Sequence, residues 1–170
     1  MRRVLLSATM GAVIALLAAA CGGNGNSGNS GSAGTTSPAA TTGAGGGATI
    51  SVQSSELGKI LVDDQGRTLY LFEKDKGPMS TCSGACAAAW PPVVTQGMPE
   101  AGQGANASEL STTDRDDGGT QVVYHGHPLY RYAGDSKPGD TNGEGLDQFG
   151  AEWYVLGPGG DKIEEEHEKD

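Results

Sequence analysis

The sequence predicts a mainly β fold: two degenerate β-hairpin or meander repeats packed as one small domain with one short helix, behind a signal peptide and a disordered stalk. Three observations predict it. The stretch Gly66-Arg67-Thr68-Leu69-Tyr70-Leu71-Phe72-Glu73-Lys74-Asp75 recurs sixty positions later as Gly126-His127-Pro128-Leu129-Tyr130-Arg131-Tyr132-Ala133-Gly134-Asp135. Both copies read G-x-x-L-Y-x-aromatic-x-x-D, in a chain with only five Tyr and two Phe. That is an internal repeat, and a repeat governs how each residue inside it is interpreted. Short β-type runs also alternate with Asp- and Gly-rich turn chemistry around both copies. Finally, no aromatic residue precedes Tyr70, and residues 22–48 hold only Gly, Asn, Ser, Ala, Thr and Pro38.

The chain starts with the basic Met1-Arg2-Arg3, and residues 4–20 are apolar apart from Ser7, Thr9 and Gly11. This is a signal peptide over residues 1–20. Its apolar run ends abruptly in Cys21-Gly22-Gly23 and is too short for a comfortable membrane span. The Cys at the edge of the cut resembles a bacterial lipoprotein signal, with Ala18 where such signals usually carry Leu. The resemblance implies that Cys21 becomes the lipidated, palmitate-type first residue of the mature chain. One buried acyl chain and its companions anchor a protein without a spanning helix. Residues 21–48 cannot bury enough apolar surface to offset ordering entropy, so composition predicts a disordered linker. Its reach is roughly 25–30 Å. The predicted placement is the outer face of the bacterial cytoplasmic membrane, lipid-anchored, with the domain in the extracytoplasmic space.

Eleven Lys and Arg stand against twenty-one Asp and Glu, a formal charge of −10; without Arg2 and Arg3 nine stand against twenty-one, or −12. Such a balance excludes nucleic acid, which needs clustered cations, and electrostatic docking on anionic lipid. Beyond the stalk, about 120 residues make one small domain.

Through that domain, residues 49–163, the elements follow in order. Residues 49–52 and 59–62 are β runs; Asp63-Asp64-Gln65-Gly66 is a turn; residues 68–72 return as a strand, giving a hairpin. Leu69 and Leu71 point to one side, Tyr70 and Phe72 to the other, so this strand is buried on both faces. Residues 83–89 favour a short helix, halted by Trp90-Pro91-Pro92. Residues 97–107 read as loop. The second repeat has a turn at Asp116-Asp117-Gly118-Gly119, a strand over 121–124, a turn at His125-Gly126 and a strand over 129–132. Residues 152–156 form a further strand and residues 161–163 a last short one. The repeats span approximately 49–100 and 108–163, and residues 164–170 are an acidic tail. Two hairpins pack together because one alone is only marginally stable.

The tandem L-Y-x-aromatic-x-x-D element, Cys82-Ser83-Gly84-Ala85-Cys86-Ala87 leading to Trp90-Pro91-Pro92, and Gly134-Asp135 leading to Gly139-Asp140-Thr141-Asn142-Gly143 resemble bacterial secreted-repeat lipoproteins with a Y-x-aromatic-x-x-D motif. The resemblance covers residues 57–160. It implies tandem repeats on lipid-anchored envelope proteins and supplies no catalytic residue.

The candidate sites are few. Tyr70, Phe72, Asp75, Tyr130, Tyr132 and Asp135 form the repeat signature. A buried Tyr hydroxyl needs a partner, and an Asp at a strand end bonds exposed backbone N–H groups; the alternative is a carboxylate pair forming a site between the repeats. Cys82 and Cys86 remain as an even pair in an oxidising compartment. A disulfide is the first expectation, since four helical residues bring the Cα atoms within bonding range. A thiol or Cu(I) site completed by Met79, Met98, His125 or His127 is the second. That spacing is similar to copper-delivery proteins, with Ala87 where a Pro often follows. His125 and His127 share a face only in an extended chain, and a solvated turn is favoured. Asp140 to Gly145 alternate oxygen ligands as calcium loops do, yet Ala151 stands where an EF-hand needs Glu. No hydrolase, zincin or phosphate-loop motif occurs. The expected function is a non-catalytic binding or structural module of the cell envelope, not an enzyme and without cofactor, whose partners are the membrane and an envelope protein or small ligand; the alternative is a copper or thiol accessory using Cys82 and Cys86.

Overall fold

The computed structural model describes residues 46–164. The signal peptide, Cys21, nearly all of the linker and the acidic tail beyond Glu164 lie outside the described residues.

Strands β1 (Thr49–Ser55) and β2 (Gly58–Val62) form an antiparallel hairpin, with Ser51 opposite Val62 and Ser55 opposite Gly58. Next come β3 (Tyr70–Phe72), helix α1 (Ala85–Ala89), β4 (Val94–Thr95) and β5 (Glu100–Ala101). The loop expected over 97–107 therefore contains a strand, which pairs in parallel with β1. A 3₁₀ turn (Ala107–Glu109) leads into β6 (Leu110–Asp114), which pairs antiparallel with β7 (Thr120–Tyr124). The polar sequence of β6, LSTTD, does not announce a strand. The chain closes with β8 (His127–Pro128), β9 (Leu146–Gln148) and β10 (Ala151–Val155).

The predicted hairpin of residues 59–72 is joined only at its base, where Val62 bridges Thr68. From Tyr70 on, the strand pairs with β10 instead: Tyr70 with Val155 and Phe72 with Trp153. The strand expected over 129–132 is likewise reduced to single bridges from Tyr130 to Tyr70 and Pro92, with the two-residue β8 just before it. Its neighbour is the reason. Pro91 and Pro92 have no N–H to donate, so Arg131 N–H to Pro91 C=O and Ala133 N–H to Ala89 C=O go unreturned there, and the partner segment donates back only from Val93 N–H to Leu129 C=O. Residues 161–163 contribute one bridge, Lys162 to Leu156.

Backbone hydrogen bonds reveal that the repeats are interlocked. In the first, Leu69 N–H bonds Leu61 C=O, Leu61 N–H bonds Leu156 C=O, and Leu156 N–H bonds Leu69 C=O. The second reproduces this triangle with Leu129, Val122 and Val93. Each repeat's hairpin is thus closed by the strand that ends the other repeat. Between them Tyr70 and Tyr130 exchange both backbone bonds, N–H to C=O at 2.9 and 3.0 Å, which places a pseudo-twofold axis between the two tyrosines.

Strand alternation divides the interior into two cores. Leu61, Leu69, Leu71, Val93, Val122, Leu129 and Leu156 pack in one. Ile60, Tyr70, Phe72, Trp90, Tyr130, Trp153 and the two cysteines pack in the other. The opposite facing of Leu69/Leu71 and Tyr70/Phe72 is as the alternation implies, and both faces are buried.

Candidate functional site

The repeat signature converges on the axis. Tyr70 donates its hydroxyl to Asp135 Oδ2 at 2.7 Å, and Tyr130 donates to Asp75 Oδ2 at 2.6 Å. Each tyrosine is bound by the aspartate of the other repeat. The remaining carboxylate oxygens do parallel work: Asp75 Oδ1 accepts from Thr81 N and Oγ1, and Asp135 Oδ1 from Asn142 N and Nδ2. The aspartates therefore bind both the expected backbone N–H and a phenol. Burial and the adjacent carboxylate push both tyrosines well above their ordinary range. Burial also raises Asp135, against the opposing bonds from Tyr70 and Asn142. Such phenol–carboxylate bonds are charge-assisted.

Beside them stands a column of rings. Phe72 stacks on Trp153 at 4.0 Å, Trp153 on Trp90 at 4.0 Å, and Trp90 meets Tyr132 at 4.4 Å. Tyr70 meets Trp90 edge-on at 5.3 Å, and Tyr130 meets Trp153 edge-on at 5.1 Å. The column obeys the same pseudo-symmetry, with Trp90 as counterpart of Trp153. Gln148 satisfies both indoles: its side-chain oxygen accepts from Trp90 and its backbone oxygen from Trp153. The equivalence of the tryptophans is faintly visible in sequence, since each is followed three residues on by Val93 or Leu156.

Cys82 and Cys86 form a disulfide with Cα atoms 5.3 Å apart, and both are buried. Arg115, which the sequence did not single out, braces this loop from the second repeat. Its guanidinium reaches Ser80 Oγ, Gln121 Oε1, Cys82 C=O and the Asp117 carboxylate. Ser80 Oγ in turn lies 2.7 Å from the Tyr130 hydroxyl. Met79 and Met98 are 67% and 70% exposed, so neither packs onto the disulfide core. Among the described residues, no three His, Cys, Asp or Glu side chains gather as a metal-holding group.

His125 and Gly126 form a tight turn with φ of 49° and 82°, the positive values that a two-residue hairpin loop demands. The turn gives the two imidazoles different partners: His125 Nδ1 pairs with Glu109 at 2.8 Å, while half-buried His127 lines a cleft with Asp75 and Lys162. Burial and nearby His125 lower the His127 pKa. In the calcium-like stretch, Asp140 Oδ2 accepts from Ser136 and Lys137, and Asn142 holds Asp135. These oxygens serve the loop's own donors. Gly143 sits where a Cβ would lie 2.8 Å from Trp90 and 2.9 Å from Tyr70.

A cluster not foreseen from sequence lies at the first turn. Asp63 is buried, and its Oδ1 accepts the backbone N–H groups of Gln65 and Arg67. Its Oδ2 accepts Nε of Arg67 at 2.9 Å and Nε of Arg131 at 2.7 Å. Burial pushes the Asp63 carboxyl up, but the Arg67 backbone and the Arg131 guanidinium outweigh it and hold the pKa below the ordinary value. The only sequence signal is that Arg131 interrupts an apolar position, where the first copy has Leu71.

Fold and site together define a tandem-repeat β module whose two copies exchange both strands and side-chain partners. The model of a family described as a secreted repeat of unknown function matches the chain twice, at residues 51–94 and 111–156, and the chain belongs to that family. Each matched segment runs from a hairpin through the Tyr element to a Trp and the crossing residue three positions on, Val93 or Leu156. No curated protein and no solved structure matches. Among the described residues, no helix is long and apolar enough to cross a membrane.

Proposed function

We propose that this protein is a lipid-anchored display module of the cell envelope, held through Cys21 and lifted by its stalk, that binds a ligand or partner without catalysing a reaction. The crossed Tyr–Asp bonds carry this reading. The most chemically suggestive residues of the repeat are engaged with one another. Their carboxylates accept internal donors on both oxygens, which suits a rigid scaffold better than a general acid or base. The disulfide, the ring column and the Arg115 brace add rigidity, and a preorganised surface loses less on binding.

Fractionation tests the anchor and its display role together. The wild-type chain is expected in the membrane fraction, accessible to protease from outside, and Cys21→Ser is expected in the soluble extracellular fraction. Retention of that variant in membranes would refute lipid anchoring. Copper or thiol chemistry at Cys82 and Cys86 requires the disulfide to open first, so thiol counting with metal analysis on protein purified without reductant distinguishes that alternative. Free thiols or stoichiometric copper would favour it.

A further inference from the structure

Two clefts flank the Tyr–Asp pairs, and the repeat register relates them. One, of about 360 Å³, is lined by Leu71, Phe72, Asp75 and His127, with Lys162 at its side. The other, of about 200 Å³, is lined by Arg131, Tyr132, Asp135 and Arg67, with Thr68 and Pro91. Sixty residues apart, Arg131 takes the place of Leu71, Tyr132 of Phe72, Asp135 of Asp75, and Arg67 that of His127. The first cleft has apolar Leu71 at the Arg131 position, and its charges are the carboxylates of Glu73, Asp75 and Asp161 beside the ammoniums of Lys76 and Lys162. The second departs from it by placing two guanidiniums side by side.

Asp63 fixes those guanidiniums. It contacts both through Nε, so each presents its outer Nη edge, and among the described residues no acceptor meets those terminal nitrogens. The side chains are partly open, 38% exposed for Arg67 and 20% for Arg131. Asp63 offsets one positive charge. Asp135 also faces the cleft, with Oδ2 taken by Tyr70 and Oδ1 by Asn142. Thr68 gives its hydroxyl to Asp140 C=O. Two planar donor edges thus remain beside an aromatic ring and a proline.

We infer that this cleft binds a small organic carboxylate, its oxygens on the outer edges of Arg67 and Arg131 and its carbon skeleton against Tyr132 and Pro91. The inference rests on the reading as a binding module and names its ligand class. Guanidinium edges match a planar carboxylate with paired N–H donors, a geometry an ammonium cannot supply. The small volume suits one terminal group rather than a whole drug-sized molecule. With a chain so acidic overall, long-range attraction of anions is absent, and recognition depends on short-range hydrogen bonds.

The test is titration of the full chain in detergent, followed by calorimetry and by the Nε–Hε NMR signals of the arginines. The probes are glucuronate and N-acetylalanine, with glucose, N-acetylalanine amide and inorganic phosphate beside them. Saturable binding of a carboxylate, absent for its uncharged analogue and moving the Arg67 and Arg131 signals, is expected. Preference between the two acids tells a sugar acid from a chain terminus, and either supports the site. Arg131→Lys keeps a charge beside Asp63 while removing the planar fork, and is expected to weaken binding about tenfold or more with an unchanged near-UV spectrum. Arg67→Lys should act in the same direction, and Lys162→Gln in the other cleft should have no effect. No saturable carboxylate binding, tighter binding of phosphate, or indifference to both Lys variants would overturn the proposal. Binding that responds to Lys162→Gln instead would overturn it while leaving the binding-module reading intact.

Discussion

Tyr130→Phe removes one oxygen from the centre of the fold and leaves the ring packing on Trp153 in place. The hydroxyl bonds Asp75 Oδ2 at 2.6 Å and lies 2.7 Å from Ser80 Oγ, so the change strips a buried carboxylate of one of its donors. A hydrogen bond to a charged group contributes about 1.5–3 kcal/mol, and Asp75 is only 5% exposed, so water does not easily replace the lost donor. We expect a loss of about 2 kcal/mol, which for a domain of this size lowers Tm by roughly 10 °C. Tyr70→Phe should cost less, because Asp135 is less buried. Urea unfolding followed by Trp fluorescence should show a lower midpoint with unchanged slope. The pH profile is an independent readout. The fold raises both tyrosines above their ordinary value of 10.0, so their stabilisation is complete below pH 10 and declines above it as the unfolded chain ionises first. Each contributes a slope of about 1.4 kcal/mol per pH unit there. Both slopes should vanish in the double Phe variant. A loss below about 0.5 kcal/mol for Tyr130→Phe, the scale of an unremarkable surface change, together with an unaltered alkaline limb, would refute the crossed bond as the clasp between repeats.

Gly143→Ala should destabilise by about 1–3 kcal/mol, because the new Cβ would press on Trp90 and Tyr70; a shifted Trp emission with a lower unfolding midpoint checks it. The Cys82→Ser, Cys86→Ser pair should lose about 2 kcal/mol, the modest value for so short a loop, and the wild-type disulfide should resist mild reductant because both residues are buried. Asp63 governs the acid limb. Its pKa is held below the ordinary 3.8, so its contribution is complete above that value and is lost as pH falls through the depressed one. Asp63→Asn should lower stability at neutral pH and flatten the decline in acid, as followed by unfolding curves at a series of pH values.

Much of the architecture was legible because it is written locally. The alternation of Leu69, Tyr70, Leu71 and Phe72 places them on two faces whatever lies beyond. The turn at His125-Gly126 follows from short-range backbone preference. Less legible were β6, whose polar residues pair as an outer strand beside β7, and β5, which is only two residues long. The Arg cleft was missed because Asp63 and Arg131 lie 68 residues apart, and Arg131 falls on a position of the repeat element that the two copies do not share.

By itself, the sequence determined that two copies of one unit exist, which faces of their strands are apolar, and where the Tyr and Asp of each copy fall. Only tertiary structure decided whom they serve. A tyrosine bound to the aspartate of its own copy and one bound across to the other have the same local sequence; the observed partners are 65 and 55 residues away. Likewise the strand ending each repeat could close its own hairpin or the other, and period-two patterning is blind to the difference. The choice is made where the Tyr70 and Tyr130 backbones exchange hydrogen bonds and where Trp90 and Trp153 stack. Both contacts form on the axis between the copies, so neither exists within a single repeat.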